Sequence, residues 1–202
     1  MRKDFIYLAS ASPRRSELLR QIGVPFRVTA AELCETRGIS EPAETYVTRL
    51  AVAKADRIWG EFGIDEDSPV LGADTVVVID RQVFGKPESS DEACKMLDVL
   101  SGKTHCVLTA VALRYGARSI TRLCSSEVRF RATTKRERRA YVATGEPLDK
   151  AGAYAIQGMG AIFIDHLAGS YSSTMGLPLA ATATLLGEFG LPAWLYSDRE
   201  SA

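Results

Sequence analysis

Residues 5–15 read Phe-Ile-Tyr-Leu-Ala-Ser-Ala-Ser-Pro-Arg-Arg, an apolar run that leads directly into a basic helix start. The apolar half predicts a buried strand, and Ser12 followed by Pro13 is typical of an N-cap and the first residue of a helix. Acidic side chains normally occupy this first turn, because the helix N-terminus is partly positive and binds anions. Arg14 and Arg15 stand there instead, which predicts that they bind an external anion, and phosphate suits their planar forks. The alternative is that both are solvated surface charges.

Strands and helices alternate along the rest of the chain, which predicts an α/β fold. Short apolar runs between turn residues predict strands at 26–29, 70–79, 82–84, 103–113 and 119–131. Apolar residues at helical spacing predict helices at 13–22, 42–62, 91–100, 134–145 and 178–189. Asp80 and Arg81 form the first expected hairpin turn, and Ser90 is the expected cap of the third helix. Thr134 and Glu137 have the spacing of a capping box.

The chain has 202 residues, with 25 Lys or Arg and 25 Asp or Glu residues, so its formal net charge is zero. This length predicts one domain over 1–202, and the charge balance argues against a nucleic-acid partner. No apolar run predicts a membrane span, and Asp4 interrupts the N-terminus where a signal peptide needs an apolar core. The four cysteines have no CxxC spacing, which predicts reduced thiols in a cytoplasmic protein.

Asp74 is the acid that most strongly suggests chemistry. It lies inside the apolar run 70–79, where an unpaired charge would be costly to bury. We interpret it as a catalytic or metal-binding group, and a structural hydrogen bond is the alternative. Thr75 follows it and points to the opposite face of a regular strand.

Two further pairs of charged residues become interesting only if they converge with Asp74. Glu32 and Glu35 could join it around a hard cation, since Mg²⁺ prefers a few carboxylates and the phosphates of its substrate. Lys54 and Lys86 could each reach a phosphate as a compact point charge. The alternatives are solvated loop acids, a helix lysine whose ammonium reaches solvent, and a solvated turn lysine.

The segment 149–161 is dense in Gly and Ala, which predicts close backbone packing or a ligand-binding loop. Gln157 brings an amide that could pair with the edge of a nucleobase, and a surface turn is the alternative. A separate basic cluster could bind nucleic acid, but its helical spacing with Glu137 favours a solvated face. It consists of Arg129, Arg131, Lys135, Arg136, Arg138 and Arg139.

Several segments together resemble the Maf family of nucleoside triphosphate pyrophosphatases, and the resemblance runs through nearly the whole chain. They lie at 10–19 (SASPRRSELL), 49–55 (RLAVAKA), 72–77 (GADTVV), 85–87 (GKP), 96–105 (MLDVLSGKTH), 149–154 (DKAGAY) and 169–179 (GSYSSTMGLPL). The resemblance implies an inosine triphosphatase-like fold: a long, mixed, twisted sheet with flanking helices and two lobes around a cleft. It leaves a homodimer open.

The resemblance also implies cleavage of a nucleoside triphosphate to the monophosphate and pyrophosphate with a divalent metal, Mg²⁺ first and Mn²⁺ as the alternative. Asp74 matches the catalytic acid, and Glu35 matches the loop glutamate that would hold the metal with it. The matching substrate-binding positions are Ser10, Arg14, Arg15, Lys54, Thr75, Lys86 and Gln157.

Residues 150–158 look like the branch of the family that acts on dTTP and UTP, whereas the 7-methyl-GTP branch carries a different sequence there. Arg14, Thr75 and Gln157 fall on positions tied to base selectivity. The sequence departs from the family pattern at Cys34, which replaces a usual carboxylate, and at Ser173, where many relatives have Asn. The first departure leaves open how many metal ligands the loop provides.

A second function stays open at this point, a nucleotide-binding regulator of septum formation or cell division. A protein that only binds does not need an acid such as Asp74 inside a strand. The intact set of acid and cations therefore favours the enzyme.

Overall fold

The computed structural model describes residues 5–30, 33–61 and 69–191, and in these residues strands and helices alternate as predicted. The strands are β1 Ile6–Ala9, β2 Phe26–Val28, β3 Val70–Ile79, β4 Gln82–Phe84, β5 Thr104–Tyr115, β6 Arg118–Phe130 and β7 Ile164–Ala168. The helices are α1 Pro13–Gln21, α2 Ala43–Glu61, α3 Ser90–Leu100, α4 Lys135–Ala143, α5 Tyr171–Thr174 and α6 Leu179–Glu188. Short 3-10 helices cover Glu146–Asp149, Ala151–Ala153 and Met159–Phe163.

The strands form one mixed sheet in the order β2-β1-β3-β5-β6-β7, and β4 pairs with β3 outside this order. Strand β1 runs parallel to both β2 and β3, whereas β4 is antiparallel to β3 and β7 is antiparallel to β6. Asp80 and Arg81 link β3 to β4 with φ values of 48° and 68°, the left-handed backbone of a tight hairpin turn. The α/β class and the mixed sheet with flanking helices are confirmed.

The helix starts show where the local prediction needs correction. Ser12 occupies the N-cap position of α1, but its side chain makes no capping hydrogen bond. The cap of α3 is Ser89 and not Ser90, since the Ser89 side chain accepts a hydrogen bond from Glu92 N. The capping box of α4 is confirmed in both directions between Thr134 and Glu137.

The segment after α4 holds an element that the sequence analysis missed. Strand β7 lies in the stretch rich in small residues. Its exposed and partly buried residues do not alternate regularly, so no strand pattern marks it. Its pairing with β6 also has an irregular register near Phe130. Two other expectations, Glu32 and the helix end at Phe62, fall on residues outside those that the structure describes.

The chain divides into two compact units. The first contains the described residues up to Asp74, together with Thr109–Cys124 and those from Gly176 onward, and the second contains Thr75–Leu108 and Ser125–Met175. Two units agree with the two lobes that were expected. The single domain over 1–202 stays a prediction.

Each unit has its own apolar core. In the first unit, α2 packs against β1 and β3 through fully buried residues, among them Ala55, Ile58 and Val70. In the second unit, Phe130 contacts Tyr154 with ring centroids 4.8 Å apart, within a larger cluster from α3, α4, β5 and β6. Among the described residues, no helix has both the length and the apolarity that a membrane span requires.

Candidate functional site

Asp74 lies in the middle of β3 and is only 6% exposed. The predicted need for a partner is met, because Lys54 Nζ donates a hydrogen bond to Asp74 Oδ1 at 2.7 Å. Burial raises the pKa of Asp74 above its ordinary value, although the charges of Lys54 and Arg15 act to lower it. The carboxyl group is therefore both desolvated and held in place.

Lys54 also contacts a second carboxylate. Its Nζ lies 2.7 Å from Glu35 Oε1 as well, and its side chain is only 12% exposed. On α2, residue 54 falls between the buried Leu50 and Ile58, so its side chain leaves the helix on the apolar face. Lys54 is therefore not a helix lysine with a solvated ammonium, because its largely desolvated cation joins Glu35 to Asp74.

The loop that carries Glu35 is held from α2. Tyr46 Oη donates to the Glu35 carbonyl at 2.6 Å, and Arg49 Nη2 donates to the Thr36 carbonyl at 3.2 Å. Arg49 is fixed in turn by two hydrogen bonds to the Glu41 carboxylate, at 2.7 and 2.9 Å. These bonds from Arg49, with one from a backbone N–H, lower the pKa of Glu41 to about 2.

Sequence reasoning missed these supporting residues. Tyr46 and Arg49 are three positions apart and therefore share one face of α2. The groups that they hold in the Glu35 loop are backbone carbonyls, which no side-chain pattern marks. The only available signal was the place of Arg49 at the start of the segment 49–55.

The turn between β1 and α1 is built on Ser10. The buried Ser10 Oγ accepts hydrogen bonds from Ser12 N at 3.2 Å and from Arg15 Nη1 at 2.9 Å. Arg15 Nε donates to the Gly176 carbonyl at 2.9 Å. Burial lowers the pKa of Arg15, and Asp74 opposes this effect. Two nitrogens of the Arg15 guanidinium thus donate hydrogen bonds within the protein. The neighbouring Arg14 is half-buried.

The structure brings Ser10, Arg15, Glu35, Lys54 and Asp74 together in the first unit. Arg14 also belongs to the first unit. Three predicted residues belong to the second unit, where Thr75 is half-buried and Lys86 and Gln157 are exposed. The Gly152 N–H donates to the Gly85 carbonyl at 3.0 Å, so the backbone next to Lys86 is bound to the segment that leads to Gln157.

Carboxylates are few at this site. Within the three described ranges, no group of three His, Cys, Asp or Glu residues converges as a metal site would require. Cys34 is exposed, and its Sγ lies 3.2 Å from Thr36 Oγ1. Glu35 and Asp74 are thus the protein carboxylates that meet at Lys54.

Much of the basic cluster is paired with acids. Arg129 contacts Asp165 at 2.7 Å, Arg131 contacts Glu137 at 2.8 Å, and Arg138 is paired with Asp98. These pairs reduce the positive charge that the surface presents, as expected for a solvated face.

Comparisons with known proteins show what this sequence is similar to. The sequence model of the family described as Maf-like protein matches residues 5–189. The dTTP/UTP pyrophosphatase of Aromatoleum aromaticum is 51% identical over 93% of this chain and 96% of its own. The dTTP/UTP pyrophosphatase of Methylococcus capsulatus is 51% identical over 92% of this chain and 91% of its own. That of Chromobacterium violaceum is 44% identical over 92% and 94%.

Proposed function

Since this chain belongs to the Maf family, we propose that it hydrolyses dTTP and UTP to the monophosphate and pyrophosphate. One observation carries the proposal most directly: the largely desolvated Lys54 ammonium lies 2.7 Å from both the half-exposed Glu35 and the buried Asp74. A lysine on the apolar face of a helix and an acid inside a strand are costly to keep for structure alone. A polyanionic substrate gives both groups a role.

The reaction places three demands on these residues. Attack of water at the α-phosphorus needs a base for its proton, cations that balance the charge of the triphosphate, and fixed positions for both. Asp74 takes the proton of the attacking water. Lys54 and Arg14 neutralise phosphate oxygens, and Arg15 holds Ser10 and the start of α1 in place. A phosphate contact of Lys86 stays a prediction.

A divalent cation fits this site, Mg²⁺ before Mn²⁺. The carboxylates of Glu35 and Asp74 both point at Lys54 Nζ, so two hard oxygen donors converge on one region. Mg²⁺ uses one or two protein carboxylates and takes its other ligands from water and substrate phosphates, which agrees with a site of two acids. When bound, the cation would supply charge neutralisation on the triphosphate.

Removal of the metal is expected to abolish activity. Exhaustive chelation should lower pyrophosphate release at least about a hundredfold, because a metal contributes several kcal/mol of charge stabilisation, and Mg²⁺ or Mn²⁺ should restore it. Glu35→Gln should raise the Mg²⁺ concentration needed for half-maximal rate. Full activity in the chelated enzyme would overturn the metal assignment.

The proposed base preference rests on Gln157. Uracil and thymine share an imide edge that offers an acceptor, a donor and an acceptor, and one amide head pairs with it through both its N–H and its C=O. Cytosine presents an amino donor in place of one carbonyl, so the same site would leave polar groups unpaired. Such mismatches discriminate strongly between substrates.

A nucleotide panel tests this preference. We expect kcat/KM for dTTP and UTP to exceed that for CTP, GTP and 7-methyl-GTP by about a hundredfold or more. Gln157→Ala should lower the ratio of kcat/KM for dTTP to that for CTP at least about tenfold. Gln82→Ala removes another exposed amide of the second unit and should leave the ratio unchanged. A parent enzyme that favours 7-methyl-GTP, or an unchanged ratio in Gln157→Ala, contradicts the proposed substrate.

The nucleotide-binding regulator is the second candidate, and the same panel separates it from the enzyme. A regulator would bind nucleotide without sustained pyrophosphate release.

The four free cysteines support a cytoplasmic location. That location and the homodimer remain predictions.

A further inference from the structure

The turn that carries Gln157 is weakly held by its own backbone. Gly158 N donates to the Ala155 carbonyl at 3.3 Å, which closes a four-residue turn with Ile156 and Gln157 at its centre. A single hydrogen bond of this length is a weak restraint. The position of the exposed Gln157 side chain therefore depends on what holds the two ends of the turn.

Two side chains hold both ends. Tyr141 Oη accepts a hydrogen bond from Ala155 N at 3.1 Å, before the turn. The Glu146 carboxylate accepts from Met159 N at 3.0 Å and from Gly160 N at 3.1 Å, after the turn. These two side chains are hydrogen-bonded to each other, because Tyr141 Oη donates to Glu146 Oε1 at 2.7 Å. We call Glu146 and Tyr141 the turn clamp.

Gly158 is the residue that lets the clamp approach. A Cβ atom at this position would lie only 2.6 Å from Glu146 Cδ, so any side chain there would push the carboxylate away. Burial tends to raise the pKa of Glu146, but the hydrogen bonds that it accepts lower that pKa below its ordinary value. Near neutral pH Glu146 is thus an ionised carboxylate that accepts hydrogen bonds from three donors.

We propose that Glu146 and Tyr141 are positioning residues for base selectivity, acting through Gln157. The proposal rests on the proposed role of Gln157. An amide that must present a donor and an acceptor to an imide edge at once is sensitive to small displacements of its backbone. The clamp touches no part of the phosphate chemistry, so its loss reduces discrimination between bases more than it reduces turnover.

The test uses two clamp variants and a matched control. Glu146→Gln keeps the size of the side chain but replaces one of the two acceptor oxygens by an amide NH2. That group cannot accept a hydrogen bond from the backbone N–H groups of the turn. Tyr141→Phe removes only the hydroxyl and keeps the ring that packs on Phe163, with centroids 5.2 Å apart. Glu137→Gln is the control, because that carboxylate also accepts several hydrogen bonds but serves the N-terminus of α4.

Kinetics with dTTP and CTP give the readout, at a temperature well below the lowest Tm of the set. We expect both clamp variants to lower the ratio of kcat/KM for dTTP to that for CTP about tenfold, while kcat for dTTP changes less. Glu137→Gln should lower Tm and keep the parental ratio. A merely structural role of the clamp would reduce both efficiencies together and leave the ratio unchanged.

The double variant Glu146→Gln/Gln157→Ala shows whether the clamp acts through Gln157. Its ratio should equal that of Gln157→Ala alone, because groups that act as a unit are not additive. If Gln157→Ala itself keeps the parental ratio, the proposed function fails. If Gln157→Ala lowers the ratio but folded Glu146→Gln and Tyr141→Phe keep it, the clamp proposal alone is overturned.

Discussion

Asp74→Asn is expected to lower kcat at least about a hundredfold while the protein stays folded, the usual cost of losing a general base. The asparagine keeps the shape of the side chain, and its carbonyl oxygen can still accept the hydrogen bond from Lys54. It loses the negative charge that takes a proton from water or helps to hold a metal. The measurement is pyrophosphate release from dTTP at saturating substrate and Mg²⁺, with Tm recorded on the same preparations.

Asp56→Asn is the matched control for this prediction. Asp56 lies on α2, in the same unit as Asp74, and faces Arg114 at 3.6 Å with 46% of its side chain exposed. A half-exposed pair of this kind contributes little to stability, so activity and Tm should stay near the parental values. If Asp74→Asn were as active as Asp56→Asn, the catalytic assignment of Asp74 would be wrong.

Gly72→Ala is expected to destabilise the protein by about 3 kcal/mol or more, since overpacking against backbone leaves no side chain free to move aside. Gly72 lies in β3 under α2, and an added Cβ would overlap the Ala51 carbonyl and lie 2.9 Å from Ala55 N. The helix would have to move away from the strand. Because α2 carries Lys54 and β3 carries Asp74, activity should fall together with stability.

Equilibrium unfolding in urea measures this effect, and the same helix provides the control. At Gly60 an added Cβ would meet nothing within 4 Å, so Gly60→Ala should stabilise the protein by about 0.5–1 kcal/mol. A Gly72→Ala protein with parental stability would show that α2 does not need its close approach to β3.

The sequence by itself determined the elements whose signals are local. The strand Val70–Ile79 and its turn at Asp80 have the predicted bounds, because a continuous apolar run and a tight turn are properties of adjacent residues. The capping box of α4 follows from two residues three positions apart. Asp74 was found for the same reason, since an acid within an apolar run stands out in any window.

The tertiary structure alone decided the partners of those residues. Lys54 and Asp74 are 20 positions apart, and their hydrogen bond depends on how closely α2 approaches β3, which Gly72 permits. The Ser89 cap, strand β7 and the turn clamp likewise depend on hydrogen-bond geometry or pairing that no periodic pattern encodes. Local periodicity fixes which face of an element is apolar, whereas contacts between distant residues fix what each polar group on that face binds.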